Sequence, residues 1–553
     1  MNPKGKPRPD LLGFYAGIIF LVAFAALAWN IGHDRIGTSY SDPIARIRAQ
    51  DEAIYVHSAI RMVRDGDWLT PKVMGRLFFQ KPPLLIWLSA FFIRLFGLSL
   101  FAVRFPALLF GAAGAAAVFL WCARARSTVS GVLAAAVLLM SPFWQIYSRL
   151  CYTDILASSC GVAALATIAC DSGLLSRTTR VGAGIFIAAG ILSKSVAGLL
   201  PFIVLVAYYI ALPRERRPRF SSILEVGLVS FLVAAPWHIY QLVVHPRWFW
   251  ADYVQLELLR IGLQAGQNGI FNRPSWFYAQ RLIQMDPVMA ALPFLGLARV
   301  WPVVRSREAG PRFLSVVWVI VTILALIAFQ AKNLPYIVLL LPALSTFGIL
   351  NGPGFLDRRP VRTAAVLAIL CASKLFAGGQ PWSLRPSSPP LEDAEAMHAY
   401  YRFHREAELI VVQAADEFYS ATLPLPGIRY VFLDPTGAVQ RAVPYYVPLG
   451  ITLTAQQFIA LPALFPRFLK SLCTWGLHSG EPIGSVVTVA QPADLVAIIR
   501  AGPGSDFYVP AAWITGTMIA PTHELVPYSP SRVFLLSLGA AQRQSVPRIP
   551  SNW

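Results

Sequence analysis

Two adjacent carboxylates, Asp51 and Glu52, open the stretch DEAIYVHSAI, a short distance after an apolar run at residues 11–29. That run is long enough to cross a membrane, so the acid pair is expected near a membrane surface. Carboxylates in such a place can act as general bases or orient a substrate. They can equally complement the dipole at the first turn of a helix, and the local sequence leaves both interpretations open.

The residues after the acid pair predict an amphipathic helix. Its apolar face carries Tyr55, Val56, Ala59, Ile60 and Val63, and its polar face carries His57, Ser58, Arg61 and Arg64. A helix with this pattern is expected to lie along the outer surface of the membrane. The acid pair at its start would then face the aqueous boundary.

A third carboxylate, Asp154, stands in the segment SRLCYTDILAS at residues 148–158, at the predicted external end of a membrane helix. A carboxylate at or inside the membrane boundary is costly, which makes it a functional candidate by default. The alternative is that Asp154 caps the start of the helix that follows it. The two acidic positions, Asp51 and Asp154, could converge on one external site.

Several cations lie on the same predicted face of the membrane, and together they could hold an anionic lipid headgroup. Each of them alone is more often an interfacial residue whose charge reaches the lipid headgroups. The combination favours a phosphate-bearing lipid substrate handled by carboxylates. The candidate headgroup-binding residues are Lys81, Lys194, Arg273, Arg281 and Lys332, together with Tyr55 and Gln80.

The composition indicates that these residues belong to a membrane protein. Of the 553 residues, 56% are hydrophobic and 14% are charged, and the mean hydropathy is +0.56. Such values are too apolar for a soluble domain and predict a polytopic membrane protein. The net charge of +19 comes mainly from Lys and Arg in short loops, which indicates membrane topology rather than nucleic-acid binding. The six cysteines form no CxxC motif, so neither a zinc site nor a disulfide framework is indicated.

The positive-inside rule orients the chain, with the first run as an uncleaved start-transfer helix. The segment KPPLLIWLSAFFIRLFG at residues 81–97 is short for a span, and placing it in the membrane interface puts the strongly basic loops in the cytoplasm. Residues 32–100 and 241–286 then form the two large external loops. Eleven spans are expected on this basis, and a division into thirteen is the alternative. The eleven expected spans are 11–31, 101–121, 128–146, 155–172, 181–193, 197–212, 221–240, 287–304, 313–330, 335–350 and 361–377.

Residues 380–553 are expected to form a separate α/β domain outside the membrane, after a Pro/Ser-rich linker at residues 378–390. Residues 1–379 would form the membrane domain that carries the site. No phosphate-cradling glycine-rich loop occurs, which argues against an ATPase. The predicted strands are 408–413, 428–434 and 484–490, and the predicted helix is 492–502.

Five further motifs accompany the acid pair. They are GDW with a following Pro71, KPPL at 81–84, FG.S..A.R ending at Arg104, SKSVAGLLP at 193–201 and KNLPYIVLLLP at 332–342. With YTD at 152–154, this combination resembles the dolichyl-phosphate-mannose protein mannosyltransferase superfamily, with its bacterial branch of lipid A aminoarabinose transferases. The resemblance covers about the first 350 residues.

The resemblance implies a GT-C membrane glycosyltransferase of the bacterial inner membrane. Such enzymes use a polyprenyl-phosphate sugar donor, here of the undecaprenyl-phosphate type, on the periplasmic face. Asp51 would be the catalytic carboxylate, supported by Glu52, and Asp154 would be the second acid of the cavity. Lys81 would hold the phosphate of the donor. The expected reaction is an inverting displacement onto lipid A, another glycolipid or a protein hydroxyl.

Three positions depart from the family pattern. Ile54 stands where the aminoarabinose enzymes often have Arg, Gln80 where they have an acid, and Ser195 where the family more usually has glycine. These departures leave the sugar, the acceptor and any metal site open. A divalent cation between Asp51 and Asp154 is compatible with the sequence, but no set of ligands demands it.

Two interpretations from other functional classes remain. A transporter or flippase for a lipid-linked sugar would need broken helices or polar residues near mid-membrane in corresponding halves of the chain, and no such paired halves are visible. The second interpretation is a non-catalytic scaffold that presents the C-terminal domain. The external acids favour the enzyme.

Overall fold

The computed structural model describes residues 9–29, 31, 50–73, 76–261, 273–329, 331–353, 400, 409–414, 428–433, 435, 487–514, 522–529 and 532–538. The Cα positions divide into two compact units. The helical unit comprises Met1–Thr38, Gln80–Val244 and Tyr253–Leu384. The sheet unit comprises Ser39–Phe79, His245–Asp252 and Arg385–Trp553.

Helices account for nearly all of the described elements before residue 351, because the sequence there is a succession of long apolar runs. In chain order the elements are α1 (Pro9–Ala28), α2 (Gln50–Asp65), β1 (Lys72–Val73), β2 (Arg76–Leu77), α3 (Leu84–Phe96), α4 (Leu100–Ala125), α5 (Thr128–Met140), α6 (Pro142–Ser148), α7 (Thr153–Cys170), α8 (Arg177–Ala211), α9 (Phe220–Val244), α10 (Pro246–Phe249), α11 (Phe277–Met285), α12 (Pro287–Leu297), α13 (Val300–Ser306), α14 (Pro311–Ala328) and α15 (Leu341–Leu350). A π-helix at Trp250–Ile261 and 3₁₀ helices at Arg214–Arg216 and Leu334–Leu339 complete this part of the chain.

By length and composition alone, and with the 35 residues of α8 counted as one helix, six helices in the described part of the chain are long and apolar enough to cross a membrane, namely α1, α4, α7, α8, α9 and α14. The number rises to eight if each of two bent helix pairs, α5 with α6 and α12 with α13, counts as one span. The prediction of a polytopic membrane protein is therefore confirmed, while the count of eleven stays a prediction. The predicted span at 361–377 lies outside the described residues.

Two of the predicted spans are broken. Residues 128–146 form α5 and α6, which meet at an angle of 72°. Ser141, at the break, has extended backbone angles (φ −63°, ψ 123°). The ring of Pro142 accounts for this conformation, because proline disfavours the helical region for the residue before it. Residues 287–304 are likewise divided between α12 and α13, which are bent by 53°.

Helix α8 is a helical hairpin rather than a straight helix of 35 residues. Its backbone leaves the helical region at Lys194 (φ −150°, ψ 51°) and Ser195 (φ 41°, ψ −120°). A Cβ atom added to Gly198 would lie only 1.9 Å from the carbonyl carbon of Gly190. Residues eight apart in a straight helix are separated by about 12 Å, so the chain reverses between these glycines. The two halves correspond to the predicted spans 181–193 and 197–212.

Helix α3 covers most of the segment expected to lie in the membrane interface. It has 13 residues and is therefore about 20 Å long, shorter than the roughly 30 Å hydrocarbon core. It packs against α4 and α8. Its length agrees with the prediction that residues 81–97 do not span the membrane, and its interfacial location stays a prediction.

The sheet unit contains an α/β fold in its C-terminal part, as predicted. Its elements are β3 (Leu409–Ala414), β4 (Ile428–Leu433), β5 (Val487–Val489), α16 (Pro492–Ala501), β6 (Asp506–Pro510), β7 (His523–Ser529) and β8 (Arg532–Ser537). The strands form one sheet in the order β5-β4-β3-β6-β8-β7. The first four are parallel, whereas β8 runs antiparallel to β6 and β7 to β8.

The three predicted strands and the predicted helix of this domain correspond to β3, β4, β5 and α16. Strands β6, β7 and β8 were not predicted. Strand β7 contains Pro527 beside a register shift, and proline weakens a strand pattern. The core of the sheet includes the fully buried Val412, Phe507 and Leu535.

Candidate active site

Asp154 and Lys194 form an ion pair inside the helical unit. Asp154 lies in the first turn of α7, and Lys194 lies at the tip of the α8 hairpin. The Lys194 ammonium donates to Oδ1 of Asp154, and their side chains are only 9% and 4% exposed. The same ammonium lies 4.1 Å from the ring centre of Tyr336, which adds a cation–π contact. Two residues that the sequence marked separately therefore belong to one charged site.

A second ion pair joins Lys81 and Glu257. Lys81 precedes α3, and Glu257 lies in the π-helix Trp250–Ile261. Their side chains are 14% and 12% exposed. Lys81 and Glu257 are close enough to Lys194 to act on its charge, so the two ion pairs form one electrostatic cluster. Helices with π geometry occur frequently at functional sites.

Tyr253 lies against this cluster from the same π-helix. Its hydroxyl is 2.9 Å from Nε2 of His238, and Nδ1 of His238 is 2.8 Å from the carbonyl oxygen of Ala234. The carbonyl can only accept, so Nδ1 carries the proton and Nε2 accepts from Tyr253. Burial raises the pKa of Tyr253, the hydroxyl of Ser195 lowers it, and the charge of Glu257 raises it. The net shift is upward, so Tyr253 stays protonated and can donate to His238.

An apolar cavity of about 120 Å³ opens beside the charged cluster. Two charged residues, Lys194 and Glu257, contribute to its wall. The other lining residues are Ser195, Val196, Ala197, Leu200, Ile203, Leu258, Thr322, Ala325, Leu326, Phe329, Tyr336 and Leu339. A site that is apolar along most of its wall and charged at one place suits a ligand with a hydrocarbon chain and an ionic headgroup.

Lys332 and Arg273, two further candidates, hold protein backbone in the structure. The Lys332 ammonium donates to the carbonyl of Ile327 at 3.0 Å and to that of Phe329, beyond the end of α14. Arg273 donates from Nη1 to the carbonyl of Lys332 at 3.3 Å, and its guanidinium lies 4.5 Å from the ring centre of Phe277. Their predicted role in headgroup binding stays a prediction.

The acid pair Asp51–Glu52 lies in the sheet unit, in the first turn of α2. Glu52 is buried at 1% exposure, and Asp51 is partly buried. A buried carboxylate is costly, which argues against a merely solvated start of the helix. The candidate Tyr55 is also buried, and its ring centre lies 6.4 Å from that of Phe78. The convergence of Asp51 with Asp154 stays a prediction.

The predicted polar face of α2 is wrong over part of its length. His57 and Ser58 are buried, at 4% and 0% exposure, so this side of the helix is covered by protein rather than by water. Only Arg64 on that face is fully exposed. Amphipathic spacing was misleading here because it does not show which neighbouring elements of the fold pack on each side of the helix.

The GDW motif forms a turn after α2. Gly66 has φ 72°, a conformation that favours glycine, and the carboxylate of Asp67 accepts from the N–H groups of Leu69 at 3.2 Å and Thr70 at 3.0 Å. Lys72 forms an ion pair with Asp67 at 3.0 Å. Burial alone would raise the pKa of Asp67, but Lys72 and these N–H groups together lower it. The motif is therefore explained as local structure.

The chain is similar in sequence to several known proteins. Residues 80–240 match the family described as dolichyl-phosphate-mannose-protein mannosyltransferase. The undecaprenyl phosphate-alpha-4-amino-4-deoxy-L-arabinose arabinosyl transferase 2 of Pseudomonas fluorescens is 27% identical over 337 residues, which cover 58% of this chain and 55% of the relative. The corresponding transferase of Aeromonas salmonicida is 27% identical over 330 residues, or 56% of each chain. The chain is therefore similar in sequence to membrane glycosyltransferases over its N-terminal part. The matched region spans little more than half the length of these curated relatives.

The similarity in fold to solved structures extends over nearly the whole chain. The crystal structure of ArnT from Cupriavidus metallidurans bound to undecaprenyl phosphate superposes with a TM-score of 0.63, at 17% sequence identity, over 95% of this chain and 97% of that one. The same protein in its apo state gives a TM-score of 0.62 at 16% identity, over 94% and 97% of the two chains. The similarity in fold therefore includes the C-terminal region, where the sequence motifs carried no resemblance.

The backbone conformation at Ser195 is one that favours glycine. Its φ of 41° lies in the left-handed region, where a residue with a Cβ atom is strained. Gln80 is half-buried beside Lys81. Among the residues that the structure describes, no group of three or more His, Cys, Asp or Glu side chains could hold a metal ion. A divalent cation therefore stays a hypothesis, and Asp154 already has a cationic partner in Lys194.

Glu257 was missed in the sequence. It is a single acid in the run VQLELLR, within a loop whose aromatic residues fitted the membrane interface equally well. Its isolation among apolar residues is the signal that could have identified it, because a carboxylate in such surroundings needs a cationic partner. The partner, Lys81, lies 176 residues earlier in the chain, a distance that no local pattern spans.

Proposed function

We propose that this protein transfers a sugar from a polyprenyl-phosphate donor, of the undecaprenyl-phosphate type, to an acceptor in the bacterial envelope. The observation that carries the proposal is the mostly apolar cavity with Lys194 in its wall and the Lys81–Glu257 pair beside it. The cavity would take part of the hydrocarbon chain, and the lysines would neutralise the phosphate. The names of the curated relatives support this class of donor.

The proposed reaction is a single inverting displacement at the anomeric carbon of the sugar. An acceptor oxygen forms a bond to that carbon while the bond to the phosphate oxygen breaks, and the polyprenyl phosphate leaves as an anion. Lys81 and Lys194 would stabilise the negative charge on the departing phosphate. The energy for transfer resides in the phosphodiester, so no nucleotide site is needed.

Asp51 is assigned one of two roles, according to the acceptor. If the acceptor is a hydroxyl, Asp51 would take its proton as a general base. If the acceptor is a lipid phosphate, its oxygen is already anionic, and Asp51 would orient the sugar or stabilise positive charge on its ring. Glu52 would support Asp51. Asp154 would hold Lys194 in place.

The acceptor is proposed to be lipid A or another envelope glycolipid, reached from the periplasmic side of the inner membrane. The relatives named for aminoarabinose transfer support a lipid acceptor. The matched family named for protein mannosyl transfer supports a protein hydroxyl as the second candidate. The multi-pass helical unit is compatible with either acceptor.

The test is transfer by the purified full-length protein in liposomes. Undecaprenyl-phosphate 4-amino-4-deoxy-L-arabinose is supplied with lipid A or with a hydroxyl-bearing peptide, and mass spectrometry detects the product. Asp51→Asn should abolish transfer, whereas Lys81→Ala should chiefly raise the donor concentration needed for half-maximal rate. Wild-type turnover by Asp51→Asn would exclude its catalytic role. Absence of transfer with every polyprenyl-phosphate sugar would contradict the proposed function.

A further inference from the structure

Both lysines of the charged cluster already have carboxylate partners. Lys194 is paired with Asp154, and Lys81 is paired with Glu257. A lipid phosphate that binds at this place must therefore compete with a carboxylate. Leaving a buried charge without a partner is strongly unfavourable, so the exchange must replace one anion by another on the same lysine.

We infer that Glu257 is a placeholder for the donor phosphate: it neutralises Lys81 while the site is empty and leaves Lys81 when the phosphate binds. This inference rests on the proposed function, because it takes the donor to be a polyprenyl phosphate. It assigns Glu257 a positioning role on Lys81. No bond is made or broken in the exchange and the charge on Lys81 stays compensated, while the displaced Glu257, a residue of the cavity wall, loses its cationic partner at a cost in binding free energy.

Position and burial favour Glu257 over Asp154 as the carboxylate that moves. Glu257 is among the residues that line the cavity, so an entering headgroup meets it directly, whereas Asp154 is not among them. The Glu257 side chain is 12% exposed, and that of Asp154 is 4% exposed. Glutamate also has one more rotatable bond than aspartate, which gives its carboxylate a wider range of positions.

The helices that carry the two carboxylates also favour Glu257 as the one that moves. Asp154 lies in the first turn of a regular 18-residue helix, where its negative charge is favourable. Glu257 lies in a π-helix of 12 residues, a geometry that is rare and mostly confined to single turns. The π-helix is the element more easily rearranged, because its backbone can return to regular helical hydrogen bonding.

The placeholder lowers the apparent affinity for the donor, since part of the binding free energy is used to displace it. Replacement of Glu257 by glutamine keeps the shape of the side chain and removes its charge. Glu257→Gln should therefore bind undecaprenyl phosphate roughly tenfold more tightly than wild type. Its KM for the sugar donor should fall by a similar factor while kcat stays within about twofold.

The experiment measures binding of undecaprenyl phosphate to the full-length protein in detergent, by its effect on the melting temperature and by direct titration. Glu257→Asp keeps the charge and should restore near wild-type affinity. Asp67→Asn, which removes the carboxylate of the separate pair with Lys72, is the matched control and should leave affinity unchanged. Equal or weaker binding by Glu257→Gln would overturn the inference. Weaker binding would indicate instead that Glu257 supports Lys81 structurally.

A measurement on the wild-type protein covers the case in which Glu257→Gln does not fold. Undecaprenyl phosphate should increase hydrogen–deuterium exchange in residues 250–261, because Glu257 loses its partner, and unchanged or slower exchange would count against the inference.

The binding assay needs no acceptor and no turnover, so it tests the placeholder separately from sugar transfer. If binding tightens in Glu257→Gln but no sugar is transferred, the proposed function fails and the placeholder stands. If transfer occurs but binding does not tighten, the placeholder alone fails.

Discussion

Lys194 and Lys332 occupy equivalent-looking positions in the sequence, each in a short polar break before an apolar run that contains proline. The structure gives them different partners. Lys194 binds the carboxylate of Asp154 and lines the cavity. Lys332 binds two backbone carbonyls at the C-terminal end of α14, those of Ile327 and Phe329. A lysine that binds a carboxylate can accept another anion in exchange, whereas a lysine that satisfies carbonyls at a helix end stabilises that end.

The contrast shows what separates a lysine that can bind a ligand from a structural one in a membrane protein. Both residues have low exposure, 7% for Lys194 and 4% for Lys332. Burial alone therefore does not distinguish them. The chemical nature of the partner does, and the following substitutions test this distinction in order of decreasing effect.

Replacement of Lys194 should have the largest effect. Lys194→Gln leaves the buried Asp154 without a cation, which should cost about 3 kcal/mol of stability. Loss of a charge beside the leaving phosphate should lower the rate of sugar transfer by about 100-fold. Thermal unfolding in detergent and the liposome transfer assay measure the two effects. Transfer at the wild-type rate would remove Lys194 from the site.

Replacement of Lys332 is the matched counterpart. Lys332→Gln removes one charged cap, which should cost about 1 kcal/mol because the amide can still donate to one carbonyl. Transfer should stay within about threefold of wild type, a change of less than 1 kcal/mol in the barrier. If Lys332→Gln reduces transfer as strongly as Lys194→Gln, the distinction by partner is wrong, and Lys332 binds the headgroup after all.

Ser195 tests whether the hairpin tip is strained. Ser195→Gly relieves a positive φ and should raise the free energy of unfolding by about 1 kcal/mol. Transfer should change little if the position of Lys194 is kept. The melting temperature and the transfer rate are measured together. A lower melting temperature would mean that the Ser195 hydroxyl, which faces Tyr253, contributes more than its backbone costs.

The Lys72–Asp67 pair completes the series as a lysine pair near the surface, so Asp67→Asn should cost less than about 1 kcal/mol at neutral pH. The pKa of Asp67 is lowered in the folded protein. The pair therefore stabilises the fold above the ordinary carboxyl pKa of about 3.9, and this contribution is lost as the pH falls through the lowered folded value. Melting temperatures of wild type and Asp67→Asn should converge near pH 2. A constant difference between pH 7 and pH 2 would contradict this assignment.

Much of the membrane architecture was predictable, because apolar run length and loop charge are local properties of the sequence. Such signals predicted the division of α8 into two helices. They also predicted that residues 81–97 are too short to span the membrane. The bend between α5 and α6 was readable in principle from Pro142 but was not predicted. Strands β6 to β8 were missed because they are short or contain proline, and their pairing is decided by tertiary contacts.

The charged cluster was only half predictable. Asp154, Lys81 and Lys194 were identified singly, since a charge next to an apolar run is unusual. Their partners could not be predicted, because the pairs join residues 40 and 176 positions apart. Glu257 became visible only when the fold brought it to Lys81. The roles of Asp51 and Glu52 came from a family pattern and stay predictions.

The reversal inside α8 has a consequence for how the chain is inserted into the membrane. A continuous helix of 35 residues would be about 52 Å long and would cross the bilayer once. Turning at Lys194 and Ser195 instead brings the two ends of the segment to the same side, as two helices of about 25 Å each, and these correspond to two of the predicted spans. With both halves crossing the bilayer as predicted, the turn sets the side of the membrane from which every segment after residue 211 continues. If the hairpin opened during biogenesis, later loops would emerge on the wrong side of the membrane.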